Sequence, residues 1–569
     1  MSAPRGPLPA LWLALCFNTP LVAAGLFRHS ADAATHLFFA DHYRRSWFAL
    51  WEPRWFGGFS VSSYPPLVHQ LLALLSIPFG RDAAFAILLL STLIAFPVSI
   101  WYFARIFVAP AAARIAAVVA VFLPGLALAA YAYGQLPTLV SLTLSLFLVY
   151  AFTRFVERGG AAALGLVAGL SGVAFAAHHA TPLLFLPPAL LAALSTSLLG
   201  IDRVLRGPRL RRALVALMAG GVAGAVVIAP FWLWAAGGIH QAFIAHSSRV
   251  NLLNDVGAQS LYLWGEYGVL PALALAGLWR RADRRTVALA ALALYLFVVG
   301  LGGTTAIPSL LFGQQWQWLT YDRFALWGAA TMLPLAGVAV SGLVSSRLGW
   351  SRALAVVALL VLVTYSGANA IWAKIRSPAR DLQPVAQFMN DGRTQWRYQT
   401  FGVGTDESEL GYLTSAATID GAYYSARRLP ELTESGIGNL DTALWWDPPG
   451  WTLRRVLGRA NAYSIRWAFV ADRSYDPYLV TAGFVHNGSL AGGIEIWENA
   501  SAPPLPAGAL SVPAPDLGGL LWGTLPLAFA IGTLGFALAS LRTLRPEPTI
   551  ERQWSPPVSA QPAAALARD

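Results

Sequence analysis

Asp32 and His36 stand four residues apart in the stretch 28–66, RHSADAATHLFFADHYRRSWFALWEPRWFGGFSVSSYPP. On a helix that spacing places both side chains on one face. The pair suits a carboxylate general base with His36 as a second polar contact, or two ligands of a divalent metal. A solvated juxtamembrane face has the same spacing, and spacing does not choose among these. Asp41 with His42 is a weaker pair, because Arg44 and Arg45 follow and can neutralise the acid. Glu52 adds a further carboxylate. Trp47, Trp51 and Trp55 recur at intervals of four beside Phe48 and Phe56. That pattern predicts an amphipathic helix in the headgroup region, with a sugar-stacking platform as the minority reading.

Arg323, in LTYDRFALWG, opens an apolar stretch with Asp322 and Tyr321 beside it. A guanidinium is suited to fork-like binding of phosphate; the alternative is an arginine that snorkels or pairs with Asp322. Arg249 in HSSRVN carries the same argument more weakly. His178 and His179 (HHATP) fall between two apolar stretches. Adjacent histidines diverge on a helix, so one lining a cavity is a better reading than both on one metal. Gln135 (YAYGQLPT) and Glu266 (GEY) are polar groups near membrane depth, where an ionisable residue costs about 2.5–3.5 kcal/mol at a helix centre. There is no HExxH, no clustered-acid metal spacing, and no Walker or GxGxxG loop in helix context.

The elements that must position these residues are membrane helices. The chain of 569 residues is 56% hydrophobic and 12% charged, with mean hydropathy +0.55, too apolar for a soluble protein of this length. Apolar windows lie at 8–27, 84–107, 114–131, 137–153, 160–177, 181–199, 213–235, 260–279, 286–303, 324–343, 353–372 and 518–541. They predict a polytopic α-helical protein with about 11 core spans and a C-terminal anchor. The lone Cys16 excludes an intramolecular disulfide framework. The +11 net charge is spread over short loops, which fits topogenic arginines and anionic headgroups and not nucleic acid.

Arginines collect at 154–158, 203–212, 280–285, 347–352 and 542–545, in alternate loops. This predicts cytoplasmic termini, a plasma-membrane location and an extracytoplasmic face for 28–66 and the other polar segments. That topology requires 66–80 to be interfacial or re-entrant. Domain expectations are a transmembrane domain over 1–372, an extracytoplasmic α/β or α+β domain and linker over 373–517, an anchor over 518–541, and a disordered cytoplasmic tail over 542–569.

DAATH at 32–36, WEPRWFGGFSVSSYPPL, YGQLPT at 133–138, HHATP at 178–182 and LTYDRF at 319–324 occur in that order. Together they resemble the GT-C glycosyltransferases, most closely the prokaryotic membrane proteins labelled 6-pyruvoyl-tetrahydropterin synthase-related. No pterin-synthase fold is visible behind that label. The resemblance implies a polyprenyl-phosphate-linked sugar donor and a glycan, lipid or protein acceptor outside the cytoplasm. It maps the family's catalytic acid onto Asp32, with Arg323 holding the leaving phosphate. His36, His178 and His179 become candidates for sugar or phosphate contacts, and Arg249, Tyr321, Gln135 and Glu266 for the same binding surface. Asp41, Glu52 and Trp55 are secondary. The family's paired-acid or metal set is not evident, so a divalent cofactor stays open. A flippase for lipid-linked saccharides and a non-catalytic envelope scaffold are the competing readings.

Overall fold

The computed structural model describes residues 6–235, 241–373 and 380–543; the tail from 544 lies outside them. All twelve apolar windows are helical, but they are not twelve equal spans. Among the described residues, seven helices are long and apolar enough to cross a membrane, or nine if two bent pairs each count as one. The window 114–131 breaks into Pro110–Val121 and Pro124–Tyr133, bent by 40°. Pro124 has no amide N–H to give and drives Leu123 into extended backbone. The window 260–279 breaks at Gly268, where φ is +52°, between Val256–Tyr267 and Leu270–Arg280. Windows 8–27, 160–177 and 286–303 give Leu8–Ala23, Ala161–Ala177 and Arg284–Gly300, of 16, 17 and 17 residues. At 1.5 Å per residue these reach only about 24–26 Å against a hydrocarbon core of about 30 Å.

The first loop is a folded unit. After α1 (Leu8–Ala23) the chain passes Asp32 into α2 (Ala33–Ser46), then a hairpin of β1 (Trp51–Glu52) and β2 (Phe59–Ser60), then α3 (Leu67–Phe79) and α4 (Arg81–Phe107). The expected tryptophan helix does not form. Pro53 interrupts it, and Phe56, Gly57 and Gly58, at φ +55°, +73° and +106°, reverse the chain. The Trp51 ring fills the space at Gly58, where a Cβ would lie 2.1 Å from it. Trp55 is 1% exposed and stacks on Phe38 with centroids 3.7 Å apart. It is a core residue, not a sugar platform.

Residues beyond 380 carry a mixed four-stranded sheet in the order β3 (Arg397–Phe401), β4 (Ile465–Val470), β6 (Ile494–Glu498), β5 (Val485–Leu490). β3 runs parallel to β4, and the other pairings are antiparallel. The core on one side of this unit includes Phe401, Leu440 and Leu453 together with Phe38, Trp55 and Phe59 of the first loop. The first loop and the unit beyond 380 therefore share one hydrophobic core. The last helix, Leu517–Thr543, docks on Ala161–Ala177, where Gly165, Gly169 and Gly172 leave room for Phe536, Thr533 and Phe529.

Candidate functional site

Asp32 is positioned by backbone. The amides of Ala31 and Asp32 donate to the carbonyls of Ala132 and Tyr133 at 2.9 and 3.0 Å. The next residue, Gly134, has φ +75°, and a Cβ there would lie 2.6 Å from Ser30 Oγ and 3.0 Å from the Asp32 amide. Only glycine lets the 131–135 segment approach so closely. The same segment delivers Gln135, whose Nε2 donates to Asp322 Oδ2 at 2.6 Å. Asp322 precedes Arg323 in the helix Tyr321–Ser345. The two ends of the site, some three hundred residues apart in sequence, are thus joined through YGQ.

Arg323 is the shared charge of the site. Asp32 is half-buried at the start of α2. Burial pushes its carboxyl up to about 6, with Arg323 pulling it down and Asp322 pushing it further up. Burial, and secondarily Arg323, also act on His178 and His179, lowering the first well below the usual histidine range and the second to about 4. His36 is lowered to about 3 by burial, against a raising contact from the Gly134 backbone and with Arg323 adding to the fall. All three imidazoles are neutral at physiological pH. The Arg323 Nε is buried and has no hydrogen-bond partner among the described residues, which leaves a charged donor free for an anionic oxygen.

His36 and Asp32 do share the start of α2, with the His36 amide donating to the Asp32 carbonyl at 3.0 Å. The His36 ring, however, faces His69 of α3, Nδ1 to Nε2 at 3.1 Å. His178 Nδ1 lies 2.7 Å from Thr181 Oγ1. Tyr64 stands between these groups, 5.9 Å from the His36 ring and 6.3 Å from that of His178. Among the described residues no group of three His, Cys, Asp or Glu has the arrangement to hold a metal ion, and His36 Nδ1, one nitrogen of the suggested Asp32–His36 ligand pair, is taken by His69.

Other sequence candidates have partners within the protein. Arg249 ties its loop to the segment that leads into the Arg323 helix, donating from Nε to Leu319 O at 2.9 Å and from Nη1 to Ile244 O at 2.6 Å. The Tyr321 amide donates to Ser248 Oγ at 3.0 Å and its hydroxyl to Trp316 O at 2.9 Å. Glu266 is buried behind the site against Gly125, where a Cβ would come within 2.2 Å of its Oε2. Asp41 pairs with Arg45, Arg54 and Arg81 at 2.6, 2.7 and 2.8 Å. Glu52 pairs with Arg54 at 2.7 Å and lies 3.0 Å from His42 Nδ1. This buried cluster braces the loop.

Sequence reasoning misses four contributors. His69 lies in the apolar run 66–80, and Tyr64 carries no signal of its own beside Pro65 and Pro66. Tyr423 and Tyr424 come from the unit beyond 380: the Tyr423 hydroxyl donates to Ser63 O at 3.0 Å and its ring lies 5.3 Å from that of Tyr64. The doublet YY in GAYYSARR is the only local signal, and nothing in it points to residue 64.

The fold is similar to that of ArnT from Cupriavidus metallidurans bound to undecaprenyl phosphate, at TM-score 0.51 and 14% identity over 86% of this chain and 99% of that one. It is also similar to the apo oligosaccharyltransferase of Archaeoglobus fulgidus, at TM-score 0.50 and 13% identity over 84% of this chain and 70% of that one. Arabinofuranosyltransferase AftD from mycobacteria gives TM-score 0.51 and 16% identity over 86% of this chain and 41% of that one. At these identities the likeness shows the fold alone, which is that of the GT-C membrane glycosyltransferases. No curated protein matches. The narrower pterin-synthase-related kinship finds no support in these matches. Residues 8–418 match DUF6541, a family of unknown function, and the chain belongs to that family.

Proposed function

We propose that this protein is a membrane glycosyltransferase that moves a sugar from a polyprenyl-phosphate donor to an acceptor on the extracytoplasmic face. The observation that carries the reading is Asp32 within electrostatic reach of Arg323: a carboxyl raised to about 6 facing the field of a guanidinium with an unpartnered Nε, on a GT-C fold. Asp32 takes the proton of an acceptor hydroxyl, whose oxygen attacks the anomeric carbon. The bond from that carbon to the phosphate oxygen breaks, and the electron pair leaves on the lipid phosphate. Arg323 neutralises the charge that develops there. His36, His178 and His179, being neutral, offer hydrogen bonds to sugar or phosphate oxygens without adding charge. The undecaprenyl phosphate held by the similar ArnT structure supports a lipid-phosphate partner. The chemistry above is complete without a metal.

The orientation follows the same logic. Gln135 and Arg323 sit at the N-terminal ends of Leu136–Arg158 and Tyr321–Ser345, while Arg158 and Arg347 lie at or just past the opposite ends. Basic residues gather on the cytoplasmic side, which puts the site outside and makes the unit beyond 380 extracytoplasmic.

The test is sugar transfer from a panel of radiolabelled polyprenyl-phosphate sugars in reconstituted vesicles, comparing wild type with Asp32→Asn and Arg323→Ala. Transfer by wild type that falls about 10²–10⁴-fold in Asp32→Asn is the expected result. Donor movement across the bilayer with no transfer would replace this reading by a flippase. Full transfer by Asp32→Asn would remove its base.

A further inference from the structure

Aromatic rings line the way from the candidate site to open solvent in two packed groups, which adjoin where Tyr423 is followed by Tyr424 in the chain. The His36 ring meets Tyr64 at 5.9 Å, and Tyr64 meets Tyr423 at 5.3 Å. The neighbouring Tyr424 meets Trp446 at 6.3 Å, edge to face at 86°. Trp446 in turn meets Trp445 at 4.4 Å and 82°. The His36 ring is buried, Tyr64, Tyr423, Tyr424 and Trp446 are half-buried, and Trp445 ends the series 73% exposed.

The geometry of the outer end is built, not accidental. Gly438 lies between Tyr424 and Trp446, and a Cβ there would come within 3.1 Å of one ring and 3.2 Å of the other. The Trp446 indole N–H is anchored on Thr442 Oγ1 at 3.2 Å. Just beyond, Pro448, Pro449 and Gly450 stiffen the return, with Gly450 at φ +68° under the Tyr478 ring. An exposed tryptophan held perpendicular to a second one presents a flat apolar face with fixed orientation. Tyr424 lies within electrostatic reach of Asp32, an influence smaller there than burial, Glu407 and Asp420.

We infer that Tyr423, Tyr424, Trp446 and Trp445 form a track that binds an extended glycan acceptor, its terminal sugar at Asp32 and its earlier sugars stacked along the rings. This rests on the glycosyltransferase reading above and names its acceptor class. Sugar rings carry apolar C–H faces that pack on aromatic faces while their hydroxyls stay in water. Arg428, exposed and stacked over Trp51 at 5.2 Å, supplies a polar edge. A tryptophan that merely dipped into lipid headgroups would need no second tryptophan and tyrosine packed edge to face behind it.

Binding is separable from catalysis in the full chain reconstituted in nanodiscs. Saturation-transfer NMR with a panel of soluble neutral oligosaccharides, short and long, reads ring-proton contact directly. The Asp32→Asn protein retains this signal for long oligosaccharides. Trp445→Ala and Trp446→Phe weaken long-chain binding, the alanine variant by about three- to tenfold, and in the active protein they abolish the preference for long over short acceptors. Binding without any transfer by wild type would sink the glycosyltransferase reading and leave the track standing. Transfer with no oligosaccharide contact at these rings would overturn the track. So would quenching of Trp445 by brominated lipids, lost in Trp445→Ala, because the ring would then be a membrane contact.

Discussion

A carboxylate whose pKa is pushed up to about 6 is ionised at neutral pH yet more basic than a free aspartate, which suits Asp32 to removing a hydroxyl proton. Two consequences separate its role in chemistry from its role in folding. Transfer falls as pH drops through about 6, by about tenfold per pH unit once Asp32 is mostly protonated, and a pH–rate profile of kcat/KM checks this. In stability the sign is opposite. With the folded value above the ordinary 3.8, the folded state holds more protons than the unfolded one between the two values, so stability falls as pH rises through that window. Asp32→Asn therefore raises the melting temperature at neutral pH while abolishing transfer, as thermal unfolding in detergent will show. A variant that lost both would place Asp32 among the structural residues. His36 behaves differently. Locked against His69 and held neutral, it contributes a fixed hydrogen-bonding ring and no proton in the neutral range.

At the scale of elements, the site depends on one glycine and one arginine that touch no substrate. Gly134→Ala puts a side chain at φ +75° and into the Ser30–Ala33 backbone. It should part the 131–135 segment from Asp32 and lower kcat while leaving the protein folded, with transfer assays and circular dichroism as the paired readouts. Arg54 is buried between Asp41 and Glu52. Arg54→Ala takes the guanidinium from buried Glu52, leaves Asp41 to Arg45 and Arg81, and costs about 3–5 kcal/mol, measurable as a loss of thermal stability. Which elements exist was largely legible in the sequence: all twelve apolar windows are helical, and α2 begins where Asp32 and His36 were read as sharing a face. The tryptophan periodicity misled, because an interval of four says nothing about Pro53 or the Gly57–Gly58 reversal that makes a hairpin. The breaks at Pro124 and Gly268 carried local signals that hydropathy averaging over a window conceals.

For the whole molecule, the first loop and the outer unit stand or fall together, since Phe38, Trp55 and Phe59 complete a core whose other members lie beyond 400. Within that unit Glu407, Asp420 and Asp441 are buried close together. Asp420 accepts from the Leu440 and Asp441 amides at 2.7 and 2.8 Å, and Glu407 accepts from Asn439 at 2.8 Å. Burial, then neighbouring carboxylates, pushes Glu407 well up. Burial likewise pushes up Asp420 and Asp441, to about 7 and about 6, against the amides that bond them. Folded values above the unfolded ones mean that the stability these carboxylates contribute is fullest below the ordinary value of 3.8 and is lost as pH rises from there to about 7. Thermal unfolding of the full chain against pH checks this, and Asp420→Asn should flatten the slope. A slope of opposite sign would mean that these carboxylates are ionised in the folded state.

Composition, apolar windows and the order of short motifs determined by themselves that this is a multi-helix membrane protein, and the motifs resembled the GT-C group whose fold it has. Those signals are local or additive, and a chain of hydropathy values carries them. Sequence also put Asp32 forward, by its spacing from His36 and the GT-C resemblance, and Arg323, as a guanidinium opening an apolar stretch. Only the tertiary structure decided which polar residues meet. Hydrogen bonds and ion pairs are set by distances between segments far apart in the chain, so Gln135 finds Asp322, His36 turns to His69, and Arg249 ties its loop to Leu319. The same long-range packing brings Tyr423 and Tyr424 to Tyr64, and no spacing along the chain encodes that contact.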